Sequence, residues 1–125
     1  MQLGLRRVGQ RIVVSFPTRV NLEGETSDRF KGRLRSIVAD GAQHGVVDLG
    51  NVGVIDSGWL GALISALKVL RTNGGSLVLA NLSEPVEAVL RITRLVRVFD
   101  ICPRVDDAVG NLHPELTRST AEGTA

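Results

Sequence analysis

The residues best placed to carry out chemistry are Asp56, Ser57 and Gly58, which lie where an apolar run becomes a helical pattern. Residues 52–55 are apolar, whereas the apolar residues from Leu60 onward recur at spacings of three and four. That change predicts a buried strand that leads directly into a helix. Ser57 then carries a hydroxyl at a helix start, where backbone N–H groups and the helix dipole favour negative charge.

Two interpretations of this tripeptide follow from the residues alone. In the structural one, Asp56 or Ser57 caps the helix and Gly58 eases the turn. In the catalytic one, Ser57 is the nucleophile of a hydrolase, which requires a histidine. His44 is expected in a loop and His113 in the tail, so the sequence disfavours hydrolysis and we expect no enzyme.

Metal and cofactor chemistry has little support in this sequence. Neither histidine has a second ligand-like residue at metal spacing, and no Gly-x-x-x-x-Gly-Lys phosphate loop occurs. We therefore expect no metal and no cofactor. The lone Cys102 rules out an internal disulfide and is typical of a reducing, cytoplasmic setting.

Composition argues against nucleic acid and membrane as direct partners. The net charge is only +2, basic and acidic residues are interspersed, and aromatic residues make up 3% of the chain. Nucleic-acid binding favours a basic stripe with aromatic platforms. No stretch approaches the roughly 20 apolar residues of a membrane span. We expect neither direct nucleic-acid binding nor membrane insertion.

The elements around the tripeptide alternate between strand and helix patterns. Strands are predicted over residues 2–7, 12–20, 46–55, 76–82 and 95–101, with a break at Gly50-Asn51 and an interruption at Pro17. Residues 21–26 form a loop, and Thr26 or Ser27 caps a helix that ends at Gly41. Further helices follow Asp56 and Ser83, and residues 106–109 form a terminal helical turn.

This order defines the fold class. Strands that alternate with helices predict an α/β domain with a mixed β-sheet of about four to five strands, with helices packed mainly on one face. Residues 1–112 form this single domain. The small, polar residues 113–125 read as a flexible C-terminal tail.

The order and spacing of several segments resemble the STAS domain of bacterial anti-sigma factor antagonists. The similar segments are Val46-Val47-Asp48-Leu49, Val54-Ile55-Asp56-Ser57, Leu60-Gly61, residues 74–79, Pro85-Val86, Leu90, Thr93, Leu95, Val98-Phe99 and the acidic loop Asn21-Leu22-Glu23. The resemblance covers about residues 11–101. It implies a STAS-like fold and a non-enzymatic regulator that acts through protein binding.

The resemblance also implies a switch. In the family, the serine after the helix-start aspartate is phosphorylated by a partner that is both serine kinase and anti-sigma factor, and the phosphorylated domain releases that partner. The matching residue is Ser57. The implied contact surface comprises Asn21, Glu23, Asp56, Ser57, Gly58, Trp59 and Leu60.

Two departures from the family pattern bear on this expectation. Gly58 and Trp59 stand where the family usually has Ser or Thr and then Gly, and Arg94 replaces a usual glycine. Trp59 is either a lid on the edge of the core or an aromatic anchor for a partner. The departures favour an alternative, a STAS scaffold that is never phosphorylated, in a stressosome-like complex or a lipid-transport ATPase. The oligomeric state stays open, with a weak homodimer as one alternative.

Overall fold

The computed structural model of the chain describes residues 2–9 and 11–110. The strands are β1 (Gly4–Val8), β2 (Arg11–Ser15), β3 (Val20–Leu22), β4 (His44–Asp48), β5 (Val52–Ile55), β6 (Ser76–Ala80) and β7 (Asp100–Cys102). The helices are α1 (Thr26–Ala39), α2 (Ser57–Thr72), α3 (Glu84–Ile92) and α4 (Val105–Gly110), with a short 3-10 turn at Leu95–Arg97. The tail predicted over residues 113–125 lies outside the described residues.

Five strands form the main sheet, in the order β1-β2-β4-β6-β7. The β1 and β2 strands are antiparallel, and β2, β4, β6 and β7 pair in parallel. The central strands β4 and β6 are buried on both faces, which is why their sequences are near-continuous apolar runs rather than alternating ones. The predicted mixed α/β sheet is confirmed.

The core lies mainly on one face of this sheet, where α1, α2 and α3 pack their apolar sides. Its members include Phe16, Phe30, Leu63 and Leu79, all buried. The other face carries a small aliphatic cluster under α4, formed around Val46 and its neighbours. Helices therefore pack mainly on one face, as predicted. Among the described residues, no helix is long and apolar enough to cross a membrane.

The break at Gly50-Asn51 divides the expected central strand into two strands that belong to different sheets. β4 lies in the main sheet, whereas β5 pairs in parallel with β3 in a separate two-stranded sheet. The prediction that residues 21–26 form only a loop is therefore wrong for Asn21 and Leu22. Their partners are Val54 and Ile55, which lie far along the chain, so local sequence does not reveal the pairing.

Other differences concern element ends. The second strand stops at Ser15, before Pro17, and the last strand is reduced to Asp100–Cys102 because residues 95–97 form a 3-10 turn. Neither Thr26 nor Ser27 caps α1, since Glu25 occupies that position without a side-chain bond. Ser83 does precede α3, but its hydroxyl donates to the Val52 carbonyl at 2.6 Å.

Candidate functional site

Asp56 fixes the start of α2 in the way the capping interpretation predicts. Its backbone is extended, and its carboxylate Oδ1 accepts a hydrogen bond from the Trp59 N–H at 2.9 Å. A side-chain oxygen in this place satisfies one of the N–H groups that a helix start leaves free. Ser57 is consequently the first residue of α2, directly after the cap.

The same carboxylate also ties α2 to the loop that precedes α1. Asp56 Oδ2 accepts from the Gly24 N–H at 2.9 Å, so one side chain bridges two segments 32 residues apart. Gly24 has a φ of 71°, a left-handed conformation that costs a glycine little. Hydrogen bonds from the N–H groups of Trp59, Gly24 and Gly58 lower the pKa of Asp56 below its ordinary value of 3.8. The bridge is therefore charged at neutral pH.

Trp59 belongs to the core. Its side chain is 0% exposed and packs against Phe30 at a centroid distance of 5.1 Å and edge-on against Phe16 at 6.0 Å. Its indole Nε1 donates to Thr26 Oγ1 at 2.8 Å, and that hydroxyl donates to the Glu23 carbonyl at 2.9 Å. Trp59 is therefore not an exposed aromatic ring, and it lies inside the core rather than as a lid on its edge.

The predicted contact residues separate into two groups by exposure. Asn21, Glu23, Ser57 and Gly58 are exposed, and Asp56 is half-buried beneath them. Leu60, by contrast, is only 8% exposed, so its side chain supports the surface from below. Two hydrogen-bonded links, Asp56–Gly24 and Trp59–Thr26, hold the first group together. We use the name Ser57 surface for the first group together with Val54, which is described next: Asn21, Glu23, Val54, Asp56, Ser57 and Gly58.

Val54 is a surface residue that sequence reasoning missed. It is 47% exposed on β5 and lies opposite Asn21 of β3, within the same small sheet that leads to Ser57. Val52 and Val54 are two residues apart, so a regular strand would place both on one face, yet Val52 is buried and Val54 is exposed. The pairing of β3 with β5 shifts register at this point, and that irregularity is not visible in the local sequence.

The two departures from the family pattern have distinct structural settings. A Cβ atom on Gly58 would lie 3.4 Å from Asp56 Oδ1 and 3.8 Å from Ser27 Oγ, which are ordinary contacts. The serine or threonine expected by resemblance would fit here. Arg94 adopts a φ of 63°, in the left-handed region. That conformation explains why a glycine suits this position.

The remaining chemical candidates lie away from Ser57. His44 is the first residue of β4, and its Nδ1 lies 2.9 Å from Ser76 Oγ. His113 falls outside the described residues. Burial and the charges of Asp107 and Asp100 raise the pKa of the Cys102 thiol, which disfavours the reactive thiolate. Among residues 2–9 and 11–110, no group of three or more His, Cys, Asp or Glu side chains suits a metal.

The site thus consists of a helix-start serine beside a loop that is hydrogen-bonded to the same helix start. The chain that carries it also matches a known protein family over most of its length. The family model of the STAS domain matches residues 7–108, and the chain belongs to that family. The chain is 32% identical over 93 residues to the anti-sigma-B factor antagonist of Bacillus subtilis (strain 168), covering 72% of this chain and 85% of that protein.

Solved structures agree with the assignment. A putative anti-sigma factor antagonist from Thermotoga maritima has a TM-score of 0.79 and 25% identity, covering 88% of this chain and 93% of that one. The phosphorylated form of the Bacillus cell fate determinant SpoIIAA has a TM-score of 0.70 at 15% identity, covering 90% and 100%. The second likeness concerns the fold alone. The chain is thus a STAS-domain protein whose relatives include anti-sigma factor antagonists.

Proposed function

We propose that this chain is an anti-sigma factor antagonist: the Ser57 surface binds an anti-sigma factor that is also a serine kinase, and phosphorylation of Ser57 releases it. The observation that carries the proposal is the exposure of Ser57 on a surface held rigid by the Asp56–Gly24 bridge. A kinase needs an accessible hydroxyl, and a binding surface gains affinity from being ordered in advance. The similarity to the Bacillus subtilis antagonist supports the same function.

Phosphorylation at this position suits a switch that leaves the fold intact. A phosphate adds about −1.5 to −2 charges at neutral pH. At the first residue of α2 the helix dipole favours that charge, so the domain stays folded. On the contact surface, however, the new charge lies beside the Asp56 carboxylate and opposes any acidic or apolar group of the partner. The consequence is a weaker complex. Such regulation operates in the cytoplasm, which is where we place the protein.

The test uses purified serine-kinase anti-sigma factors encoded in the genome of the source organism. The full chain is incubated with each kinase and ATP, and intact-mass spectrometry with peptide mapping locates any phosphate. One phosphate on Ser57 is expected, and none on a Ser57→Ala variant. Affinities are then measured by calorimetry for wild type, Ser57→Asp and Ser65→Asp. Ser65 is a matched control, because it is an exposed serine two turns further along α2.

Ser57→Asp should weaken the complex by at least tenfold, whereas Ser65→Asp should leave it nearly unchanged. If no kinase modifies Ser57 and the Ser57→Asp variant binds as well as wild type, the proposal fails. Recovery of a transporter ATPase or of a megadalton particle as the bound assembly would instead select the scaffold alternative. Labelling of Ser57 by an active-site serine probe would select a hydrolase.

A further inference from the structure

Helix α1 carries an uninterrupted block of positive charge. Four basic residues and no acidic one occur between positions 29 and 39, namely Arg29, Lys31, Arg33 and Arg35. The acidic residues around α1 lie at its ends, so the middle of the helix has a net charge of +4. Three of the four side chains are exposed and that of Lys31 is half-buried.

Two of these charges form a row that begins at the Ser57 surface. Ser27, Lys31 and Arg35 are four residues apart, so their side chains follow one another along one face of α1. Ser27 Oγ lies 3.8 Å from the place a Cβ would occupy on Gly58, the residue after Ser57. Lys31 follows about 6 Å further along the helix axis and Arg35 about 12 Å. We call Lys31 and Arg35 the basic row.

These charges are not neutralised by the domain itself. The ion pairs of the described part of the chain join Arg91 to Glu87 at 3.2 Å and Arg104 to Asp106 at 4.0 Å, and none involves α1. Surface charges without a partner keep their attraction for an approaching molecule over a Debye length of roughly 8–10 Å. Lys31 is one turn of α1 beyond Ser27, which contacts the Gly58 position at the start of α2.

We propose that the basic row docks an acidic surface of the same anti-sigma factor that contacts Ser57. This inference rests on the proposed function. The occupant is argued from charge complementarity and from the continuity of the row with the Ser57 surface through Ser27. The loop end of the site carries Glu23, Glu25 and Asp28 instead. The partner therefore meets acidic groups at the loop and basic groups along α1, and this polarity fixes its orientation.

The row also supplies a physical route for release. A phosphate on Ser57 places about −1.5 to −2 charges at the end of a row that carries +2. The phosphate cancels most of the attraction that the row exerts on an acidic partner. Phosphorylation then acts by neutralising the row as well as by direct repulsion at the contact.

The test is a charge-neutralised variant, Lys31→Gln/Arg35→Gln, with Arg71→Gln/Arg97→Gln as the matched control. The control removes the same charge from two exposed arginines that are in no ion pair with a described residue. Binding to the kinase identified with the wild-type chain is followed by surface plasmon resonance from 50 to 500 mM NaCl. The row variant should bind about tenfold more weakly, mainly through slower association, with a flatter salt dependence. The control should bind like wild type.

A second measurement tests whether the basic row takes part in the loss of affinity that a negative charge at position 57 causes. Ser57→Asp is introduced into wild type and into the row variant, and the two losses of affinity are compared in a double-mutant cycle. The loss should be several-fold smaller without the row. Equal losses, or a row variant that binds like wild type, overturn the inference and leave the proposed function standing. If the wild-type chain binds no kinase, and instead binds a DNA duplex or phosphatidylglycerol vesicles through the row, both this inference and the proposed function are overturned.

Discussion

Trp59 gives the sharpest prediction about how the Ser57 surface is held, because its side chain links the core to that surface. Removing the whole side chain as Trp59→Ala should cost about 3–5 kcal/mol, since it empties a fully buried aromatic site. Domains of this size have a free energy of unfolding of about 5–15 kcal/mol. That variant therefore lies near the limit of folding, and a gentler change is more informative.

Trp59→Phe keeps an aromatic ring between Phe16 and Phe30 but removes the indole N–H that donates to Thr26. The lost hydrogen bond contributes about 1 kcal/mol, and the smaller ring leaves unfilled space that costs about 1 kcal/mol more. We expect a total loss of about 2 kcal/mol. The companion variant Thr26→Val leaves the buried indole N–H without its acceptor, which should cost about 1–3 kcal/mol.

The assay is urea unfolding at pH 7, followed by far-ultraviolet circular dichroism, because the chain has one tryptophan and Trp59→Phe removes it. The double variant should be less destabilised than the sum of the singles by about 1 kcal/mol, which is the coupling of the pair. Thr72→Val is the control, since its hydroxyl bonds the Lys68 carbonyl on the exposed side of α2. If Trp59→Phe costs less than about 0.5 kcal/mol, or the pair shows no coupling, the link from core to surface is refuted.

Three further predictions concern backbone and charge. Gly75→Ala should destabilise by about 3 kcal/mol or more in urea unfolding, because a Cβ there overlaps the Gln43 carbonyl; equal stability would contradict that packing. Arg94→Gly should raise the free energy of unfolding by up to about 1 kcal/mol, because it relieves a left-handed backbone; a loss would contradict this. Asp56 has a lowered pKa, so its contribution to stability is complete above pH 3.8 and disappears as the pH falls through its folded pKa. An NMR titration with an Asp56 midpoint at or above 3.8 would contradict the bridge.

The strands and helices that local sequence patterns specify could be predicted from the sequence alone. The β-branched runs of β4 and β6 and the spacing of Leu60, Leu63 and Leu67 predict buried strands and an amphipathic helix without any tertiary information. The same reasoning located Ser57 at the start of α2, as the structure has it. Gly41 likewise ends its helix with a φ of 98°, in the left-handed region that glycine adopts readily.

Features that depend on distant partners could not be predicted. The pairing of β3 with β5, the bridge from Asp56 to Gly24 and the burial of Trp59 under α1 all join segments about 30 residues apart. Spacing along the chain carries no information about such contacts. An aromatic residue one step from an apolar stripe fits a core and a surface equally well, so only the packing against Phe30 decides between them.

The most direct measurement of the central claim is a map of the partner contact by NMR. The ¹⁵N-labelled full chain is titrated with the unlabelled serine-kinase anti-sigma factor, and amide shifts are compared before and after phosphorylation. We expect the largest shifts at Gly24, Ser57, Gly58 and Lys31, and we expect phosphorylation to abolish them at the same partner concentration. Shifts confined to α3 and β7, or a complex that phosphorylation leaves unchanged, would contradict the claim that Ser57 controls this surface.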